Sequence, residues 1–484
     1  MLNPTLVSPI GKAIETAALR AFEDRLLGDI ILPSDHRYES ARRLWSRMPD
    51  PRRPGAIVRC AAPVDVVRTI DFARNNQLEV AVRAGGHSFA ADSLCDGGML
   101  IDLSPMRGIR VDSVKRVARA EAGLTAGEFD QATQALGLAT VLGECTGVGV
   151  SGYTLGGGLG RLMGQYGAAC DNLLCVELVD AEGEVFHASA DENEDLFWAI
   201  RGGGGNFGIV TILEYQLYPV HHILSGTLTY PISDARAVLT FLNDYMISAP
   251  DELDVIIDIG NQGLMMSAPA VMEPIVNLTV SYCGDLARGE AALKPLRSFR
   301  KPAVDRIRAR TYLQAQAFAD IRPLVEFGST GGFMALETGF IERLSENVTA
   351  IIEAFSADAP PCFWIAAEHY LHGAICRPAP NHTAFALRQP GYTSRIFSAW
   401  RDSNQGDVSI KWVKDLSAAL EPFGNDKLYL NYLTEGLGEQ GVRTAYATNY
   451  ERLAMLKSKY DPTNFFHSNR NIHPRATGRE GSEH

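Results

Sequence analysis

The sequence predicts an α+β protein of two domains, the second inserted into the first. Three observations lead there. The chain has 484 residues, too long for one compact hydrophobic core. From about Ile57 to Val220, short strand-like and helical segments alternate and glycine is dense, whereas from about His221 to Gly441 longer strands are separated by helices. The last amphipathic stretch, TNYERLAMLKSKYDPTNFF, is stopped by Asp461-Pro462 and reads as a return to the first domain. The expected limits are residues 1–220 completed by 445–484, with 221–444 forming the inserted domain.

The elements follow in order. AAPVDVVRTIDFARNN reads as a helix, with Val64, Val67, Ile70 and Ala73 at helical spacing. EVAVRAGG is a strand running into two glycines, and MLIDLSPM and VARAEAG are further strands. LTAGEFDQATQALGL is a helix ending at Gly137. In the second part, LSGTLTYPI and IVNLTVSYC read as strands and DARAVLTFLNDYM as a helix. No internal repeat is present.

Composition narrows the function classes. The 45 basic and 57 acidic residues give a net charge of −12, spread along the chain. A nucleic-acid binder needs a basic stripe, and docking on an anionic membrane needs a basic patch. No apolar run is long enough to span a bilayer. The N-terminal stretch lacks a basic region followed by an apolar core, so a cytoplasmic protein is expected. The eight cysteines have no CxxC pair and no regular spacing, which disfavours a zinc site or a disulfide framework.

Three glycine-rich segments carry the chemistry. They are RAGGHS around His87, LGECTGVGVSGYTLGGGLGRLMGQYG from Leu142 to Gly167, and RGGGGNFG from Arg201 to Gly208. The second contains a formal G-x-G-x-x-G at Gly147, Gly149 and Gly152. A nicotinamide fingerprint must turn from a strand straight into a clean helix. Here Gly156, Gly157, Gly158 and Gly160 follow at once, and that reading is rejected. Each loop alone reads as a tight turn. Together they expose enough backbone N–H groups to cradle the pyrophosphate of a large, buried dinucleotide.

The order of motifs resembles the berberine-bridge-enzyme-like flavoproteins, in the vanillyl-alcohol-oxidase group of FAD-linked oxidases. The matching residues run from RAGGHS through GECTGVGVSGYTLGGGLG, DLFWAIRGGGGNFGIV and LYLNY to YERLAMLKSKYDPTNFF and NIHP. The resemblance spans roughly Arg59 to Pro474. It implies a two-domain PCMH-type FAD-binding fold with an inserted α+β substrate domain, an antiparallel sheet covered by helices. It also implies that His87 bonds the flavin 8α-methyl group and that Cys145 bonds C6, the bicovalent arrangement. A neutral imidazole or a thiolate can attack an oxidised flavin, and glycine neighbours allow the approach. Further residues expected along FAD are Arg83, Ala84, Gly85, Gly86, Ser88, Gly143, Val148, Gly149, Gly152, Tyr153, Gly158, Asn206, Gly208 and Ile209.

Two positions depart from the family pattern. Thr146 stands where a proline is usual, and Tyr153 where a histidine helps hold the flavin edge. Val148 falls where family oxidases keep a residue small enough to admit O2, which resembles an oxidase more than a dehydrogenase. In KLYLNYLTEG, the Y-x-N-Y match places Tyr432 as catalytic base, with Tyr429 and Asn431 along the flavin. Strand alternation would send Tyr429 and Asn431 to one face and Tyr432 to the other, so a bend is expected. A tyrosine titrates near pH 10, so a base role requires a lowered pKa or a proton relay.

Within HYLHGAICR and TAFALRQPGY, His369, Arg388 and Tyr392 are expected to line the substrate pocket. His369 and His372 are spaced three apart, but on a strand this does not assemble a metal site, and no metal is expected. Asp195, Phe197 and Trp198 read as helix and packing residues. The expected reaction is removal of a hydride from a small-molecule alcohol, phenol or amine of secondary metabolism, with O2 giving H2O2, and with ring closure as one outcome. The alternatives are a flavin dehydrogenase using another acceptor and a non-redox flavin-containing cyclase. The expected assembly is a monomer or homodimer.

Overall fold

The computed structural model describes residues 6, 14–45, 50–261, 273–317, 331–424, 427–434 and 438–475. Three sheets organise them, with a two-stranded pair beside them. The first is four-stranded, in the order Asp29–Ile31, Ala56–Arg59, Met99–Asp102, Val80–Arg83. Its last three strands run parallel, with the helix Pro63–Asn75 as a crossover. The helix covers the sheet with Val66, Ile70 and Ala73, while Val64 stays 38% exposed. The buried stripe is therefore shifted from the one expected.

The second sheet is antiparallel, in the order Ile109–Asp112, Val117–Glu121, Ile209–Gln216, Leu173–Val179, Val185–Ser189. Against it lies the helix Ala126–Gln134, started by a capping box between Thr125 and Glu128. One hydrophobic core joins these two sheets and extends to the helix Tyr450–Tyr460, through Leu453, Ala454 and Leu456. Lys457 of that helix is fully buried. It donates to the Asn206 carbonyl at 2.8 Å, the Phe466 carbonyl at 2.9 Å and Asp461 at 2.7 Å.

The third sheet has eight antiparallel strands. Its main path is Val304–Asp305, His222–Pro231, Ile275–Tyr282, Leu253–Asn261, Phe363–Leu371, Gly391–Trp400, Phe333–Ile341, and Arg308–Thr311 pairs beside His222–Pro231. Alternation divides its residues cleanly. Val255, Ile257 and Ile259, with Val276, Leu278 and Val280, face the helices Ala235–Ile247, Leu286–Phe299, Glu346–Ala357 and Gly406–Leu420. The opposite face is mixed: Thr227, Thr229, Asn277, Thr279, Asp258 and Glu368 look into a cavity beside Ile256, Met334, Leu336, Trp364 and Phe397. Among the described residues, no helix is long and apolar enough to cross a membrane.

Candidate active site

A cavity of about 1480 Å³ lies between the glycine loops and the face of the large sheet that the helices leave uncovered. Its first wall is mostly backbone. Ala84, Gly85, Gly86, His87 and Ser88 follow directly from the strand Val80–Arg83. Opposite them stand Gly143, Glu144, Cys145, Val148, Gly149, Gly152 and Tyr153. A side-chain carbon built on Gly85 would fall 2.2 Å from the Gly149 nitrogen, so the two loops touch through bare backbone. The helix Val150–Leu155 does form after Gly149, but it lasts six residues and ends at Gly156.

The third loop adds Gly204, Gly205, Gly208 and Ile209, and the C-terminal segment adds Phe466 and Ser468 to Arg470. Arg470 ties this segment to Asp92 at 3.1 Å. The cavity exceeds what a drug-sized ligand fills, and its glycine lining suits the backbone cradle of a dinucleotide.

Not every expected cofactor residue reaches this wall. Arg83 sits behind it, paired with Asp102 at 2.8 Å in a buried ion pair. Asn206 is also one layer back, donating to the Gly203 and Arg470 carbonyls and accepting from the Ile472 N–H. Gly158 lies behind too, its N–H donating to the Tyr429 hydroxyl at 3.1 Å.

His87 is enclosed. Its ring lies under Trp45, centroids 5.2 Å apart and planes at 11°. Burial lowers its pKa to about 4, so the imidazole is neutral at any working pH. Cys145 shares the cavity, and burial pushes its thiol up to about 12. Tyr153, at the expected histidine position, is held by packing and by its carbonyl, which accepts from Asn431 Nδ2 at 2.9 Å.

The LYLNY segment is not a strand. Leu430–Tyr432 is one 3-10 turn, closed by the Tyr432 N–H donating to the Tyr429 carbonyl at 2.9 Å. This is the expected bend, and it brings Asn431 and Tyr432 to the cavity together. Tyr429 does not line the cavity; its hydroxyl accepts from Asn431 Nδ2 at 2.8 Å and from Gly158.

The Tyr432 hydroxyl donates to Glu368 Oε2 at 2.6 Å. Arg395 pairs with the other Glu368 oxygen and lies over the Tyr432 ring at 5.0 Å. Phe89 meets Tyr432 edge-on at 5.9 Å. Burial and the Glu368 charge drive the Tyr432 pKa well above its ordinary value, although Arg395 opposes them. A free phenolate is thus disfavoured, while a proton acceptor stands in contact.

Glu368 and its neighbour His369 both reach the cavity because the strand breaks register there. The pairing shifts between Glu368 and Tyr370, and His369 takes φ +49°. His369 Nδ1 meets Asp254 Oδ1 at 2.9 Å. Burial works against its positive charge, yet Asp254, and beyond it Glu144 and Glu368, hold its pKa up at about 9. Glu144, Asp254 and His369 bring ligand atoms within 4.8 Å of one another. An imidazolium has no lone pair for a metal, and the Arg161 guanidinium, 3.0 Å from Glu144, already supplies positive charge there. His372 turns elsewhere, to the Leu253 carbonyl at 2.8 Å.

Arg388 and Tyr392, expected in the substrate pocket, are not part of the cavity. Arg388 is buried against both Asp171 oxygens, at 2.5 and 2.7 Å. Tyr392 sits fully buried on the helix-covered side of the large sheet. Alternation explains this: Arg395, three residues beyond Tyr392, takes the cavity side. Glu368, Arg395, Glu144, Arg161 and Asp254 went unnoticed in the sequence. For Asp254, Glu368 and Arg395 the only signal is the alternation of their strands, which gains meaning once the strands are in register. Glu144 and Arg161 lie within the quoted glycine-rich segment, where the glycines drew the reading.

Comparison with known proteins decides the identity. Residues 54–189 match the FAD binding domain family model, and residues 428–473 match the berberine and berberine-like model. An FAD-linked oxidoreductase of Dictyostelium discoideum is 33% identical over 85% of this chain and 86% of its own length. The chain belongs to the berberine-bridge-enzyme-like FAD-linked oxidoreductases. The (R)-6-hydroxynicotine oxidase of Paenarthrobacter nicotinovorans is 30% identical over 92% of this chain and 97% of its own. Berberine bridge enzyme in complex with (S)-reticuline shares the fold, with TM-score 0.82 and 20% identity over 95% of this chain and 98% of that one. The two-domain PCMH-type α+β fold expected from the sequence is therefore the fold of this chain, and FAD is the cofactor of its family.

Proposed function

We propose that this oxidoreductase is an oxidase of small molecules, with Tyr432 and Glu368 as a proton relay and with FAD tethered through His87 and Cys145. The observation that carries the reading is the 2.6 Å bond from Tyr432 to Glu368 on the cavity wall facing the glycine loops. A substrate hydroxyl, phenol or amine gives its proton to the Tyr432 oxygen while the tyrosine's own proton passes to Glu368. The phenolate, which burial disfavours, never has to stand free. Arg395 holds Glu368 in line and keeps the ring of Tyr432 in place. Asn431 and Tyr429 lock the turn that carries Tyr432 onto the Gly158 backbone.

FAD held by the glycine loops around Gly85, Gly149 and Gly208 would supply the two-electron acceptor for the hydride leaving the adjacent carbon, with O2 as the final acceptor and H2O2 as its product. The neutral imidazole of His87, fixed under Trp45, is the form that attachment requires. Burial works against the thiolate that a bond through Cys145 requires. Support for an oxidase comes from the 6-hydroxynicotine oxidase relative and from Val148 on the cavity wall. We place the protein's 1–220 and 445–484 segments around FAD and the 221–444 segment around substrate.

Acid precipitation tests the tethers. Yellow colour should stay in the pellet of the wild type and of His87→Ala and Cys145→Ala singly, and wash out in the double variant. Colour washing out of the wild type would remove the covalent reading. Alcohols, phenols and amines that bleach the flavin without air should yield peroxide in air; bleaching without peroxide would mark a dehydrogenase.

A further inference from the structure

The large sheet offers the cavity one acidic side chain that neither the relay nor an opposite charge occupies among the described residues. Asp258 lies on the strand Leu253–Asn261, half-buried, on the cavity wall. Its neighbours in register are Asn277 on one side and Ala366 on the other. The small Ala366 leaves the space beside it open. Trp364, two residues before Ala366 and on the same face, donates from Nε1 to Asp258 Oδ1 at 2.7 Å. Elsewhere on this wall opposite charges are matched, Glu368 with Arg395 and His369 with Asp254. Among the described residues Asp258 has no ion pair, and Trp364 Nε1 is the donor to its carboxylate.

We propose that Asp258 is the anchor for a protonated amine, so that the substrate carries an ammonium group remote from the bond that is oxidised. The proposal deepens the oxidase reading and rests on its assignment of this wall to substrate. Position supports it. Glu368 is the diagonal neighbour of Asp258 across the strand pair, a separation of about 7–8 Å. An ammonium at Asp258 therefore stands a few bonds from the group that gives its proton to Tyr432. It cannot be the reacting nitrogen, because a nitrogen must be neutral to support departure of a hydride from its carbon. The substrate class is then a hydroxylated or phenolic amine with two separate handles. The indole of Trp364 on the same wall adds an aromatic surface for a cation.

The electrostatics agree. Burial and the charge of Glu368 raise the Asp258 pKa to about 7, against the pull of Trp364 and Arg395, and Glu144 adds to the rise from the opposite loop. At the rim, Glu273 and Arg306 balance each other in sign. Without a cation the carboxyl group is thus half neutral near pH 7. An arriving ammonium favours the ionised form, so its affinity grows as pH rises through 7 and then levels off.

Equilibrium dialysis of the yellow holoprotein, without air, tests this with benzylamine and its neutral partner benzyl alcohol. Benzylamine stays cationic from pH 5.5 to 8.5. Its binding should tighten about tenfold or more across that range, and benzyl alcohol should bind alike at both ends. Asp258→Asn, which keeps the shape and the acceptor for Trp364, should remove the pH slope and weaken benzylamine about tenfold at pH 8.5. Benzylamine binding as tightly to Asp258→Asn as to wild type, or a slope retained in the variant or shared by benzyl alcohol, would overturn the proposal. The wild-type slope needs no variant to be read. The flavin spectrum separates the two readings: yellow protein without the amine preference loses the anchor alone, and colourless protein with it loses the oxidase.

Discussion

On the side of the glycine loops the cavity wall is backbone, whereas on the sheet side it is side chains. Gly85, Gly149 and Gly152 expose peptide groups because no Cβ intervenes, and Gly85 and Gly149 touch across loops more than 60 residues apart in sequence. Across the cavity, Asp258, Glu368, Arg395 and Tyr432 act through what each touches on a neighbouring strand or turn. The difference shows where each half is vulnerable. A backbone wall fails sterically and completely. A side-chain wall fails one interaction at a time.

Substitutions can sharpen that contrast. The largest effect is expected from Gly85→Val, whose new carbons must push the Gly149 loop away. Overpacking of this kind costs about 1–3 kcal/mol. The protein should purify largely without flavin, seen as loss of visible absorbance per mole of chain. Retention of full colour would mean the loops can part without losing FAD, and the contrast would break.

Next comes Glu368→Gln. It keeps the bond to Tyr432 but removes the proton acceptor, and flavin reduction should slow about 10²–10⁴-fold with flavin content unchanged. Stopped-flow bleaching with any substrate found by screening reads it. A rate within a few-fold of wild type would remove Glu368 from the relay.

The His369–Asp254 pair gives a smaller, pH-dependent effect. The folded His369 pKa, about 9, lies above the ordinary 6.5. Its stabilisation is complete below about pH 6.5 and is lost as pH rises through 9. Asp254 is buried, yet the imidazolium holds it below the usual carboxylate range, so its share is lost in acid. Between pH 7 and 10 the wild type should lose about 1–3 kcal/mol more than His369→Gln in denaturant titrations. Parallel losses would show that the pair is not charged. The smallest change is expected for Thr229→Val. It removes a single hydrogen bond, to Asn277 Oδ1 at 2.8 Å, worth about 1 kcal/mol. Flavin content should be untouched and KM should move by only a few-fold.

This contrast also explains what the sequence disclosed. Glycine runs are visible without a structure because their function is to lack a side chain, and RAGGHS, GVGVSG and RGGGGNFG all reach one cavity. The Y-x-N-Y segment was legible as a motif, and the need for a bend followed from alternation set against the roles the resemblance implies for Tyr429, Asn431 and Tyr432. Its partner was not. Glu368 lies 64 residues from Tyr432 in sequence, and Arg395 lies 27 from Glu368. Only strand register and a bulge at His369 bring them together. Tyr392 was misplaced for the same reason: along a pocket-lining strand, one residue decides the face, whereas Arg388 precedes that strand and turns to Asp171. Arg83 and Asn206 carry their motifs but serve the wall from behind.

The bonds that close the cofactor wall span most of the chain. Asn431 reaches back 278 residues to Tyr153, Ile472 reaches 266 to Asn206, and Lys457 reaches 251 to the same loop. During synthesis the glycine loops therefore leave the ribosome long before the segment that shuts them in. At about 5–20 residues per second, the 221 residues from Gly208 to Tyr429 take roughly 10–45 s. Through that interval the flavin cradle stands open on one side. Stable flavin retention is thus expected only after the last 56 residues emerge, and chains released before Tyr429 should be colourless.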